Sequence, residues 1–116
     1  MFEKIQIFQL AQGMAVHAGR RQALIAQNIA NADTPGYRAR DLPSFAEAYR
    51  ASAETGQGRL GHIRPVARPG ATSPNGNSVS LEHEMVAATG VQRDHERALA
   101  IYKSALGLLR SVLGRR

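Results

Sequence analysis

Two long segments, one at each end of the chain, repeat their apolar residues with a helical period, and nothing else in the sequence restricts the fold as much. Leu81, Met85, Ala88, Gln92, His95, Leu99, Tyr102, Leu106, Leu109 and Leu113 follow one another at alternating spacings of four and three. That is a heptad seam, the pattern of a helix that packs one stripe along a neighbouring helix. Ser80 stands where an N-cap is needed. Glu82 and Glu84 fall near the positive end of the helix dipole, and Arg110, Arg115 and Arg116 near the negative end.

Over residues 5–32, Ile7, Leu10, Ala11, Met14, Ala18, Ile25 and Ile29 fall on one helical face about 100° wide. Arg21 and Asn28 lie on the same stripe, and burial of either requires a polar partner. At a rise of 1.5 Å per residue the two helices would be roughly 45 and 50 Å long, matched in length for lying side by side. The expected fold is mostly α: a coiled-coil-like hairpin of N-terminal helix (1–33) and C-terminal heptad helix (80–116), joined by a turn, a short helix and a loop-rich segment (34–79). Ile101, Leu108 and Val112 lie outside the strict seam, so apolar surface is left for neighbours and an isolated subunit should be marginally stable.

The middle of the chain is different in kind. Residues 54–77 are rich in Gly, Pro, Ser and Arg and keep neither a two-residue nor a 3.6-residue period, which predicts flexibility in isolation. Just before them, "LPSFAEAYRAS" predicts a short helix with Pro43 in its first turn and Phe45 and Tyr49 one turn apart on one face. With three Phe, three Tyr and no Trp, a core built on aromatic anchors is not expected.

Fifteen Lys and Arg against nine Asp and Glu give a net charge of +6, but the basic residues come in small separated sets without interleaved aromatics. A base-stacking platform would need those aromatics. The absence of Cys excludes disulfides, thiolate metal sites and Cys nucleophiles. His83-Glu84 and His95-Glu96 each begin like a zinc-binding helix but lack the second His four residues on. His95 reads as a polar register-setter on the seam, His17 as a residue on the polar edge of its helix, and Glu82, Glu84 and Glu96 as surface carboxylates off the seam, solvated or paired at i and i+4 with Arg or Lys. No nucleophile elbow, phosphate loop or dinucleotide fingerprint occurs, so neither enzyme activity nor cofactor, metal or small-molecule substrate is expected. The N-terminal "MFEKIQIFQL" is too polar for a secretory signal, and no stretch approaches membrane-spanning length.

The stretch "NIANADTPGYRARD", residues 28–41, is a helix with a built-in stop. Pro35 pushes Thr34 out of the α region, and Pro35-Gly36 is the preferred central pair of a type II turn from Thr34 to Tyr37. Asn31 and Asp33 can satisfy the last free backbone groups, and Tyr37 is thrown back toward the helix just left. This block, with Asn28, Ile29, Asn31, Asp33, Thr34, Pro35, Gly36 and Tyr37, resembles the signature of the bacterial flagellar basal-body rod protein family, and most nearly that of its proximal rod members. A second block, "GNSVSLEHEM", is similar to the same family just ahead of its C-terminal helix, with Ser80 where Asp is more usual.

The resemblance implies a structural subunit of the flagellar rod, whose terminal helices pair and stack helically with copies of itself and with other rod proteins. It also implies contact with the adaptor that joins rod to inner-membrane ring. Export would run through the flagellar type III apparatus without a cleaved signal, into a rod that spans the periplasm. Ile7, Leu10, Met14, Ile25, Leu81, Met85, Leu99, Tyr102, Leu106, Leu109 and Leu113 would then form the assembly interface. Two other classes compete on the residues alone. One is a small basic nucleic-acid-binding helical module that uses Arg20, Arg21, Arg38 and Arg40; the other is a cytoplasmic coiled-coil adaptor that forms a stable dimer.

Overall fold

The computed structural model describes residues 2–54 and 63–114. Helix α1 (Phe2–Ala30) is followed by strand β1 (Arg40–Asp41), helix α2 (Phe45–Glu54), strand β2 (Val66–Ala67) and helix α3 (Leu81–Leu113). The long helices pack antiparallel. Phe8 meets Tyr102 edge to face near one end, with ring centroids 5.3 Å apart. Ala18, Ile25 and Val91 form the central core with Ala87 and Ala88, and Asn28 touches Glu84 at the other end. Fold class therefore agrees with the periodicity: mostly α, with the terminal helices as a hairpin.

The seam lies one residue away from its expected place on α3. The residues that α3 buries are Glu84, Val91, Ala98 and Ala105, a strict seven-residue repeat, and α1 answers with Ala11, Ala18 and Ile25. One residue on a helix is a rotation of about 100°. The expected seam counted Leu and Met as the buried positions. In the fold the alanines face inward, because small side chains let the helices approach closely and polar groups at one end hold Glu84 inside. Leu81, Met85, Leu99, Tyr102 and Leu113 are left exposed, Leu106 and Leu109 half-buried, and Gln92 and His95 exposed. His95 is thus no register-setter of this hairpin.

Helix α2 begins after Pro43, at Phe45, and not with Pro43 in its first turn as expected. Ser44 caps it, its Oγ accepting from Glu47 N–H at 3.2 Å, so Pro43 lies before the cap. His17 ties α2 down: its Nε2 lies 2.7 Å from the Pro43 carbonyl and its ring meets Phe45 edge on at 5.7 Å. Placing His17 on a polar edge was therefore wrong; it is buried. Antiparallel pairing of β1 with β2 sets Arg40 opposite Ala67 and Asp41 opposite Val66. Of residues 54–77, expected to be mobile, 63–77 make defined contacts, through this pairing and through Asn77; residues 55–62 lie outside the described residues.

The hairpin is long and thin, with principal extents of 67 × 29 × 15 Å and a radius of gyration of 17.7 Å. A compact chain of this length would have a radius near 13 Å. It exposes 8424 Å², where a compact monomer of this mass would expose about 6,200 Å². The excess, roughly 2,000 Å², is the size of a substantial protein interface.

Candidate functional site: a polar junction and an apolar outer face

α1 stops in a series of tightened turns. Asn31 N–H donates to Gln27 O at 3.1 Å, Thr34 N–H to Asn31 O at 3.1 Å and Tyr37 N–H to Thr34 O at 3.3 Å. Asn31 Nδ2 donates to Gln27 O at 2.8 Å, and Thr34 Oγ1 to Asn31 Oδ1 at 3.1 Å. Gly36 has φ +74°, the left-handed conformation that the third residue of a type II turn demands. Tyr37 swings back, and its hydroxyl donates to Asn28 Oδ1 at 3.0 Å.

Asn28 sits at the centre of the polar junction. Its Nδ2 donates to Arg40 O at 2.9 Å and its Oδ1 accepts Arg40 N–H at 3.1 Å, so the amide pairs with β1 as a strand neighbour would. Nδ2 also reaches both Glu84 oxygens at 3.2 Å. Asn28 and Glu84 are each 0 % exposed, a placement that buried polar groups tolerate only when partnered. The surface role expected for Glu84 is therefore corrected.

The partners of Glu84 come from the middle of the chain. Arg68 Nη1 donates to Glu84, and Arg68 Nη2 donates to Asp41 Oδ2 at 3.0 Å. Arg21 grips the same Asp41 carboxylate with two hydrogen bonds of 3.0 Å, and its third nitrogen lies 3.9 Å from Asp94. The result is an alternating chain of charge from Glu84 through Arg68, Asp41 and Arg21 to Asp94. Burial alone would push the Asp41 carboxyl up, but hydrogen bonds from Arg21, Arg68 and Leu42 N–H, with the Arg21 charge, outweigh it and hold it below the usual carboxylate range. Among the described residues no buried side-chain polar atom lacks a partner.

The segment ahead of α3 completes the junction. Asn77, also buried, donates from Nδ2 to Asn31 O at 2.8 Å and to Thr34 O at 2.7 Å, and its Oδ1 accepts Val79 N–H at 2.7 Å. Gly36 N–H donates to Asn75 O, Ser78 N–H to Tyr37 O and Ala39 N–H to Ser78 Oγ. Gly76, at φ +85°, crosses beside Gly36: a Cβ on it would lie in ordinary contact, 3.4 Å from the Gly36 Cα, and its positive φ is what calls for glycine. The blocks at 28–41 and 76–85, far apart in sequence, are therefore one structural unit. The sequence pattern gave no role in it to Arg68 and held Asn77 and Glu84 only as members of the block at 76–85. A further signal was the demand of Arg21 and Asn28 for partners, which Asp41, Arg40 and Glu84 meet within the same chain.

The remaining side chains sit outside the junction, to which Thr34 lends its backbone carbonyl. Ile29, Asp33, Thr34 and Pro35 are exposed. Of the proposed interface residues, Ile7, Leu81, Met85, Leu99, Tyr102 and Leu113 are exposed, Leu10, Met14, Leu106 and Leu109 half-buried, and Ile25 lies inside the subunit's own core against Val91. Arg20 donates to Ile63 O at 2.7 Å, and Arg21 is held by Asp41, so two of the four arginines named for a phosphate-binding surface are engaged internally. No helix among the described residues is long and apolar enough to cross a membrane.

A thin helical hairpin, locked at one end by polar groups and apolar along its outside, has the build of a structural assembly subunit. The family described as flagella basal body rod protein matches residues 17–38, the second half of α1 and the turn. The flagellar basal body rod protein FlgB of Agrobacterium fabrum (strain C58) is 30% identical over 118 residues, covering 88% of this chain and 88% of the relative. FlgB of Salmonella typhimurium (strain LT2) is 31% identical over 114 residues, covering 81% and 83%. FlgB of Proteus mirabilis is 41% identical over a shorter stretch of 58 residues, 49% of this chain and 41% of the relative. The chain belongs to the FlgB family of flagellar basal body rod proteins, as a structural subunit of the proximal rod.

Proposed function

We propose that this subunit polymerises through the outward faces of α1 and α3, which pack against copies of itself and against other rod proteins to form part of the flagellar drive shaft. The observation that carries this reading is the apolar surface left outside the hairpin. Met85 is 67% exposed and Val86 74%, and Leu99, Leu108 and Val112 continue the exposure along α3. Single exposed apolar residues are ordinary, but a run of them along a helix with an excess of surface marks a place for neighbours. The work of such a subunit is packing, without catalysis or cofactor. One end of the stack would meet the adaptor to the inner-membrane ring, the chain would reach the rod through the type III export apparatus without a cleaved signal, and the rod would span the periplasm.

Met85→Asp and Val86→Asp test the reading. In the free subunit both side chains stay in water, so unfolding free energy should change by less than about 0.5 kcal/mol. In the rod a carboxylate would be desolvated against a neighbour. The expected result is a normally folded, expressed subunit that is absent from purified basal bodies, in cells that do not swim. Normal motility of both variants would refute the proposed face.

A further inference from the structure

We infer that the buried Glu84–Arg68 pair, with Asn28, sets the register of the hairpin: it selects one of several alignments that the packing of α1 on α3 would otherwise permit. The inference concerns the isolated subunit and does not depend on the assembly reading. Its basis is the near-degeneracy of the seam. α1 buries Ala11, Ala18 and Ile25, and α3 buries Val91, Ala98 and Ala105, all at seven-residue steps. Sliding α3 by one heptad, about 10 Å, brings this apolar repeat back against that of α1. The connection between the helices is too long to forbid such a slip, unlike the tight turn of a short hairpin.

The polar end removes the degeneracy. Glu84 and Asn28 occupy the same seam as the alanines, yet the buried Glu84 carboxylate is met by Asn28 and by the Arg68 brought in by β2. Slipped one way, Asn28 faces Val91 and Glu84 overruns the end of α1. Slipped the other way, Glu84 reaches the level of Arg21, a cation already committed to Asp41, and leaves Arg68 and Asn28 behind. Either slip separates a buried carboxylate from its partners, and a single buried polar position is known to fix register in this manner.

The chain contains no Cys, so cysteine pairs report register without background. Phe8→Cys with Tyr102→Cys reports the observed alignment, because those rings are in contact. Phe8→Cys with His95→Cys or with Leu109→Cys reports the two slips. With a short bifunctional thiol crosslinker, the full-length protein should link 8 to 102 and give almost no product for the slipped pairs. Glu84→Leu/Arg68→Leu removes both charges together and leaves the Arg21–Asp41 pair in place. It should keep its helical circular dichroism while the ratio of in-register to slipped product falls by about tenfold or more. Glu84→Gln, which keeps the shape but not the ion pair, should fall between. An unchanged ratio in the helical double variant would overturn the inference. Should the double variant lose its helices, an unchanged ratio in Glu84→Gln would overturn it equally.

Discussion

Asn28→Ala is the most informative single substitution. The side chain accepts from Tyr37 Oη and Arg40 N–H and donates to Arg40 O and Glu84, all four contacts lying between 2.9 and 3.2 Å. Truncation strands those groups, and each buried group left unsatisfied costs about 1–3 kcal/mol. Tyr37 is half-buried and can recover a water partner, whereas Glu84, fully buried, would be left with Arg68 alone. Alanine, the better helix former, returns about half a kcal/mol. The expected loss is about 3–5 kcal/mol, a third or more of the stability of an ordinary small domain. Urea unfolding of the purified subunit, followed by circular dichroism, measures it directly. Asn28→Asp adds a control with opposite pH behaviour. It sets a second carboxylate against that of Glu84, so the deficit relative to wild type should shrink as pH falls and the introduced group takes up a proton. A cost below about 1 kcal/mol for Asn28→Ala, or an Asn28→Asp deficit independent of pH, would refute the view that this amide holds the junction together.

Other outcomes follow from the same geometry. The Asp41 carboxyl titrates lower in the folded chain than in the unfolded one, so its contribution is complete above the unfolded value near 4 and is lost as pH falls through the folded one; acid unfolding should be shallower in Asp41→Asn, with the two acid limbs superimposing if the reasoning is wrong. Gly36→Val forces a β-branched residue to φ +74° and should cost on the order of 1–3 kcal/mol. Gly70→Val, where φ is ordinary and nothing lies within 4 Å of the added Cβ, should be close to neutral, and the two thermal midpoints compare them. Gly19→Ala, on an exposed turn of α1 with open space around it, should stabilise the subunit by about 0.5–1 kcal/mol in the same assay.

The two helices, the stop at Pro35 and the cap at Ser80 could be read from local chemistry, because capping, turn preference and helical period depend on residues a few positions apart. The rotational setting of α3 could not. A pattern that ranks residues by hydrophobicity places Leu and Met inside, and close approach of backbones reverses that choice in favour of Ala98 and Ala105. Glu84 looked like a surface residue because its partner Arg68 lies on a segment whose composition signals disorder; only the pairing of β1 with β2 brings that arginine to it. The role of Asn77 was invisible for the same reason. Its two acceptors are the Asn31 and Thr34 carbonyls, left free by the end of a helix more than forty positions earlier in the chain.

The crossing of Gly36 and Gly76 has a bearing on timing. Among the described residues, the hydrogen bonds that reach the turn after α1 from later in the chain come from residues 75–78, and the hairpin itself waits for α3. A chain that appears N-terminus first therefore has its opening helix and its turn in hand while the groups that fasten them are still missing. Its contacts span large loops, which must close before any of them is rewarded, and that slows folding. The molecule thus carries a built-in delay: about two-thirds of the chain must be present before the turn after α1 is fastened from residues 75–78.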